Sequence, residues 1–145
     1  MALRTRRIST RHDPFWDLVH TARALNAPGG CPWDQAQTVQ SLLPHLIEET
    51  WEVFCAATMR QRTHLQEELG DVLYTVLFMT ILAEQRGWFT LDGLLAKTRR
   101  KMERRHPYVF HTKRATTPEE AYRHWQEAKR RERPRKKPQH PFGRC

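Results

Sequence analysis

The sequence is poor in cysteine, with only Cys31, Cys55 and Cys145. They form neither an even disulfide set nor a C-x-x-C pair with zinc spacing. This argues against a disulfide-stapled fold and a cysteine zinc site, and leads us to expect a reduced, cytoplasmic chain. Long hydrophobic runs are lacking too. The most apolar uncharged stretch, residues 72–83, has 12 residues, whereas a membrane helix needs roughly 20. The start, Met-Ala-Leu-Arg-Thr-Arg-Arg, has no apolar segment behind it, which argues against a signal peptide. Strand-like alternation is absent, no internal repeat is found, and an all-α class remains.

What is present suits one folded domain. The chain has 145 residues and a mass of 17.3 kDa, ordinary for a single core. At 39% hydrophobic and 28% charged it can build a packed interior. A net charge of +9 first suggests a nucleic-acid or membrane-surface partner. Residues 1–12 and 129–145, however, carry +4 and +7, which leaves the remainder at −2. The basic excess belongs to the ends. We read residues 1–12 as a basic extension, 13–129 as the folded domain, and the Pro- and Arg-rich residues 130–145 as a disordered basic tail.

Five helices are expected. The first covers residues 15–25, capped by Asp13 with Pro14 at its first position. A loop over residues 29–34, Gly-Gly-Cys-Pro-Trp-Asp, follows it. The second helix covers residues 42–59 with Ser41 as its cap, and Leu42, Leu43, Leu46, Ile47, Val53, Phe54 and Ala57 share its apolar face. The third, residues 64–85, is apolar nearly all round, as befits the middle of a bundle. The fourth covers residues 91–105, capped by Thr90 and stopped by Pro107, where His106 caps or packs the helix end. The fifth covers residues 118–130.

Two short patterns carry the chemistry: Glu48-Glu-Thr-Trp-Glu52 and Glu67-Glu-Leu-Gly-Asp71. A spacing of three puts Glu49 with Glu52, and Glu68 with Asp71, on one helix surface each. If the two helices pack antiparallel, four carboxylates meet at one point. Such anions raise one another's pKa unless a cation joins them. The acids of the third helix sit in an apolar sequence, where an unpaired buried charge is costly. All-oxygen ligation favours Mg²⁺ or Mn²⁺ over zinc. Lys97, Lys101 and Arg105 recur every four residues, either as a solvated basic face or as cations for a polyphosphate. Trp33, Phe110 and Trp125 are able either to stack on a base or to fill a core edge.

Five segments in order resemble the MazG family of nucleoside triphosphate pyrophosphohydrolases. They are Gly30-Cys-Pro-Trp-Asp-Gln-Ala-Gln-Thr38, Leu46-Ile-Glu-Glu-Thr-Trp-Glu-Val53, Glu67-Glu-Leu-Gly-Asp-Val-Leu73, Lys101-Met-Glu-Arg-Arg-His-Pro-Tyr-Val-Phe110 and Trp125-Gln-Glu-Ala-Lys129. The resemblance implies an all-α, MazG-like helical bundle that oligomerises through four-helix packing, as a homodimer or a dimer of dimers. It also implies Mg²⁺-dependent hydrolysis of a nucleoside triphosphate to the monophosphate and pyrophosphate, with a housecleaning role in the nucleotide pool. By the family motif Glu49, Glu52, Glu68 and Asp71 are metal ligands, and Glu48 assists nearby in orienting or deprotonating water. Lys101 and Arg105 match phosphate-contacting positions, Trp125 and Lys129 a pair that closes over the nucleotide, and Trp33 and Asp34 a segment at the substrate mouth. Trp51 stands where the family commonly has Tyr and Tyr108 where it often has His, departures that bear on base preference.

Three rival readings are weighed. A nucleic-acid-binding protein would use the basic ends and leaves Glu68 and Asp71 unexplained. A di-iron carboxylate bundle wants Glu-x-x-His on two helices, whereas here the order is His45-x-x-Glu48 and His64-x-x-Glu67. A related all-α pyrophosphohydrolase acting on another nucleotide ester lacks support from the Cys-Pro-Trp-Asp and Arg-Arg-His-Pro segments.

Overall fold

The computed structural model describes residues 13–132. Among them the backbone forms seven helices and no strand: α1 (Pro14–Asn26), α2 (Pro32–Gln35), α3 (Leu43–Thr58), α4 (Arg62–Gln85), α5 (Leu91–Arg105), α6 (Pro107–Phe110) and α7 (Pro118–Glu132). The all-α class is as the sequence implies. Residues 1–12 and 133–145, which hold most of the two basic ends, lie outside the described residues. The chain divides into two compact units after residue 91.

In the first unit, α1 starts where the Asp13 carboxylate accepts the Phe15 N–H at 3.0 Å, with Pro14 supplying the fixed φ of a first helical residue. Its one buried stripe, Val19 and Ala22, packs on Leu77 and Ile81 of α4 and on Leu91, with Phe15, Leu18 and Tyr74 around the edge. Leu42, Phe78 and Leu82 form a second cluster beside Val39 and Met79. Burial of side chains such as Phe78 and Ile81 contributes about 1.5–3 kcal/mol each.

A tight turn joins α3 to α4. Gln61 N–H donates to the Ala56 carbonyl at 3.0 Å and Arg60 N–H to Ala57 at 3.2 Å, the double closure of a Schellman end. The left-handed position of that motif falls on Arg60, φ 57. At the far end of α4 the same closure, Trp88 to Ala83 at 3.1 Å and Gly87 to Glu84 at 2.9 Å, places Gly87 at φ 69, where no Cβ is strained.

The structure departs from expectation in four places. Residues 32–35 form the one-turn helix α2 where a loop is expected. Gly30 makes this possible: a Cβ there would lie 2.4 Å from the carbonyl oxygens of Ala24 and Leu25, over which the chain folds back. Ser41 does not cap α3. It trades hydrogen bonds with Thr38, Thr38 N–H to Ser41 Oγ at 2.9 Å and Ser41 N–H to Thr38 Oγ1 at 3.0 Å, closing a turn one step earlier, and Leu42 takes the cap position. Another one-turn helix, α6, follows His106, and α7 runs two residues past the expected end, to Glu132.

The fourth departure concerns burial. Only the C-terminal half of α4 is enclosed, because α1 covers that half and α3 one side; Leu69 and Leu73 are 51% and 49% exposed. The apolar face of α3 is likewise split: Leu42 is buried, whereas Leu43, Ile47 and Phe54 are exposed. Together α3 and α4 carry an uncovered apolar stripe.

The second unit holds most of α5 together with α6 and α7. The His106 ring Nδ1 meets the Met102 carbonyl at 2.6 Å, closing the end of α5 as the sequence suggested. α7 opens on Thr117-Pro-Glu-Glu120: Glu120 N–H donates to Thr117 Oγ1 at 3.2 Å, and the Glu120 carboxylate accepts from Thr116 N–H at 2.8 Å.

Candidate functional site

Helices α3 and α4 run antiparallel, so Glu49 comes to Asp71 and Glu52 to Glu68. Glu49, Glu68 and Asp71 each offer a carboxylate oxygen within 4.8 Å of the other two. Among the described residues this is the group of acids, histidines and cysteines able to share an ion. Glu52 adjoins it through a carboxyl–carboxylate hydrogen bond with Glu68. Glu48, exposed, lies near enough for its charge to act on Glu49.

The electrostatics match that crowding. Glu49 is pushed above the usual carboxylate range by desolvation first, then by the charges of Asp71, Glu52 and Glu48, against a lowering influence from His45. Glu68 is raised by desolvation, by its hydrogen bond with Glu52, and by the charges of Glu52, Asp71 and Glu49. Like charges gathered this closely hold protons unless a cation replaces them. The donor set, carboxylate oxygen only, fits a hard divalent cation.

One expectation needs correcting. Asp71 is exposed and Glu68 half-buried within one chain, so these acids are not sealed in a core. The N-terminal half of α4, where both sit, has no cover from α1. Their convergence on Glu49, rather than burial, marks the site.

Trp33 and Asp34 belong to the same neighbourhood. α2 sets Trp33 edge-on to His45 of α3, ring centres 5.7 Å apart, and Asp34 lines a cavity with Glu49. The position of α2 is held by Gln35 Nε2 on the Ala27 carbonyl at 2.7 Å, Gln37 Nε2 on Trp33 O at 3.0 Å and Asn26 Nδ2 on Asp34 O at 3.4 Å. His45 and Tyr74 also line this cavity, and sequence reasoning did not select them. His45 stands four residues before Glu49 and Tyr74 three after Asp71, helical spacings that could have flagged both.

The remaining candidates lie in the second unit. Trp125 has Lys129 Nζ 4.7 Å from its ring centre and the Arg105 guanidinium 5.7 Å away, a cation–π group built by α5 and α7. Arg105 is also paired with Glu132, Nε to Oε2 at 2.9 Å and Nη2 to Oε2 at 2.8 Å. Lys101 is half-buried on α5, one turn before Arg105. Phe110 is exposed.

Comparison with known proteins follows the same lines. The MazG nucleotide pyrophosphohydrolase domain matches residues 37–110. A relative from Thermotoga maritima, named nucleoside triphosphate pyrophosphohydrolase/pyrophosphatase MazG, is 39% identical over 123 residues, 85% of this chain and 47% of its own length. The Escherichia coli K12 nucleoside triphosphate pyrophosphohydrolase is 37% identical over 119 residues, 82% of this chain and 45% of its own. The chain thus spans about half the length of these relatives. In structure it is similar to a mazG-related protein from Thermotoga maritima, with a TM-score of 0.68 and 29% identity over 79% of this chain and 98% of the other.

Proposed function

The chain belongs to the MazG nucleotide pyrophosphohydrolase family, and from that premise we propose that it hydrolyses nucleoside triphosphates to the monophosphate and pyrophosphate, with Mg²⁺ as cofactor and Mn²⁺ as an acceptable substitute. The observation that supports this most is the meeting of Glu49, Glu68 and Asp71 oxygens within 4.8 Å across α3 and α4. Glu49, Glu52, Glu68 and Asp71 would hold the ion; bound there, it supplies neutralisation of triphosphate charge and acidification of water. The chain's own groups do the rest. Glu48, exposed and one residue from a ligand, orients a water and accepts its proton. Lys101 and Arg105 take phosphate oxygens and stabilise charge that grows as pyrophosphate leaves. Trp125 and Lys129 supply an aromatic face and a cation for the nucleotide. Trp33 and Asp34 flank the base.

The proposed setting is a cytoplasmic homo-oligomer that clears damaged or surplus nucleotides. None of the described helices is long and apolar enough to cross a membrane. The uncovered stripe of Ile47, Phe54, Leu69 and Leu73 suits self-association of α3 and α4 with a second copy.

The test is product analysis. With Mg²⁺ and a panel of ribo- and deoxyribonucleoside triphosphates, the chain should release pyrophosphate and monophosphate, and chelation should stop it. Orthophosphate as the first product would refute the reading. Nucleic-acid binding through the basic ends is tested by deleting residues 1–12 and 133–145: undiminished hydrolysis makes it at most a side activity.

A further inference from the structure

The near-neutral charge of the folded part conceals a division that follows the structure. Residues 13–91, in the first unit, hold ten acids and four bases, a net charge of −6, whereas residues 92–132, in the second, hold twelve bases and six acids, a net charge of +6. Hydrolysis as proposed above uses Lys101, Arg105 and Lys129 and leaves the other nine bases of the second unit without a role.

Those cations are gathered rather than scattered. On α5, Lys97, Arg100, Lys101 and Arg104 recur at i, i+3, i+4 and i+7, which puts them on one face. The end of α5 meets the end of α7 at Glu132, which takes Arg104 at 3.1 Å and Arg105 at 2.8 Å, and Lys129, Arg130 and Arg131 precede Glu132 on α7. One carboxylate thus sits among a surplus of cations. Among the described residues Lys97, Arg100, Arg130 and Arg131, all exposed, have no ion-pair partner. A solvated basic face needs no aromatics, yet here they adjoin it. Tyr122, 62% exposed, stacks on Trp125 with ring centres 6.1 Å apart, and Trp125 in turn carries Arg105 and Lys129. With His106 and Tyr108, these two rings wall a groove of about 450 Å³.

We propose that the second unit binds single-stranded nucleic acid, with Tyr122 as a stacking platform for a base and Lys97, Arg100, Arg130 and Arg131 as contacts for phosphates. An exposed aromatic ring accepts the face of any base and cations beside it track the backbone, the combination on which single-strand binding without sequence preference rests. A duplex keeps its base faces within its own stack and has none to lay on Tyr122; an anionic membrane or an inorganic polyphosphate has no base at all. The site is distinct from the basic ends weighed above, since every residue in it lies within 92–132, and it does not depend on nucleotide hydrolysis.

The probe is a fluorescein-labelled twelve-nucleotide oligouridylate, its binding to the full chain read by anisotropy at about 50 and about 200 mM KCl. Four phosphate contacts on a single strand give a slope of about −2.8 in log K against log salt, so affinity should fall roughly fiftyfold between the two conditions. Changing Lys97, Arg100, Arg130 and Arg131 together to Gln should weaken binding at least about tenfold at the lower salt and flatten the slope, while hydrolysis of a mononucleoside triphosphate stays unchanged. Tyr122→Ala should weaken binding about fivefold or more, and Tyr122→Phe, which keeps the ring, should retain wild-type affinity. All five side chains are exposed, so these variants should melt as the wild type does. Equal affinity for a twelve-base-pair duplex overturns the proposal, and so does undiminished binding by the fourfold variant, which would put the contacts on the basic ends. Unchanged binding by Tyr122→Ala overturns it as well, since charge alone would then suffice. Oligonucleotide binding without cleavage of any triphosphate leaves this site standing and refutes the hydrolysis proposed above; cleavage without binding does the reverse.

Discussion

Asp71 and Glu52 occupy opposite ends of a charge cluster whose members repel. Glu52→Gln or Asp71→Asn removes charge but little volume. Both side chains are exposed, so folding should be retained while turnover falls below detection. Measured melting temperature and turnover together check this. A second outcome follows from the direction of the pKa shifts. Glu49 and Glu68 are raised, so between the ordinary carboxylate value of about 4.5 and their folded values the native state holds more protons than the unfolded chain. Stability of the metal-free protein therefore falls as pH rises through that window. Glu84, Glu120 and Glu132 are lowered, chiefly by hydrogen bonds for Glu84 and Glu120; for Glu132 burial, which raises, is outweighed by Arg105 and Arg104. Their contribution is present above about 4.5 and lost as pH drops below it. Melting temperatures of the metal-free chain should thus climb as pH falls towards the ordinary carboxylate value of about 4.5 and drop beneath it. Saturating Mg²⁺ should abolish the climb, since the cation replaces the protons.

At the level of helices, the two Schellman ends permit a paired comparison. Arg60 holds a left-handed φ of 57, a conformation that costs a residue with a Cβ about 1 kcal/mol. Arg60→Gly should stabilise the first unit by about 0.5–1 kcal/mol, and Gly87→Ala should destabilise it by a similar amount. Chemical denaturation of both variants reads the difference. The long helices were legible in the sequence because their apolar residues recur with a 3.6-residue period and Asp13, Pro14 and Pro107 mark their limits. α2 and α6 were not, since a four-residue turn has no period to detect. The E-x-x-E and E-x-x-D pairs pointed to Glu49, Glu52, Glu68 and Asp71 because helical spacing alone puts each pair on one surface. The association of Asp34, Tyr74 and Glu49 was invisible: it arises from Gly30 turning the chain back over the end of α1, a tertiary event with no local pattern. Burial of α4 was overestimated for a related reason, as an apolar sequence does not say whether its own chain or another covers it.

For the molecule as a whole, that uncovered stripe is the most consequential surface. Ile47 is 69% and Phe54 58% exposed, more apolar area than a soluble monomer usually leaves in one place. Light scattering should return at least twice the 17.3 kDa chain mass. Ile47→Glu combined with Leu73→Glu should return the single-chain mass. A monomeric wild type would refute self-association.

The ion pair between Arg105 and Glu132 has a consequence for selectivity. Arg105 arrives with a tethered competitor: Glu132 takes its Nε and Nη2 at 2.9 and 2.8 Å, and Arg104 at 3.1 Å helps to anchor it. An incoming phosphate reaches the Nε and Nη2 edge of the guanidinium only by evicting this carboxylate. Isolated orthophosphate is a weak challenger, whereas a polyanion that binds elsewhere at once is a strong one. Glu132→Gln should therefore lower KM severalfold, leave kcat little changed and make orthophosphate a better inhibitor, so the tethered carboxylate acts as a threshold against small anions.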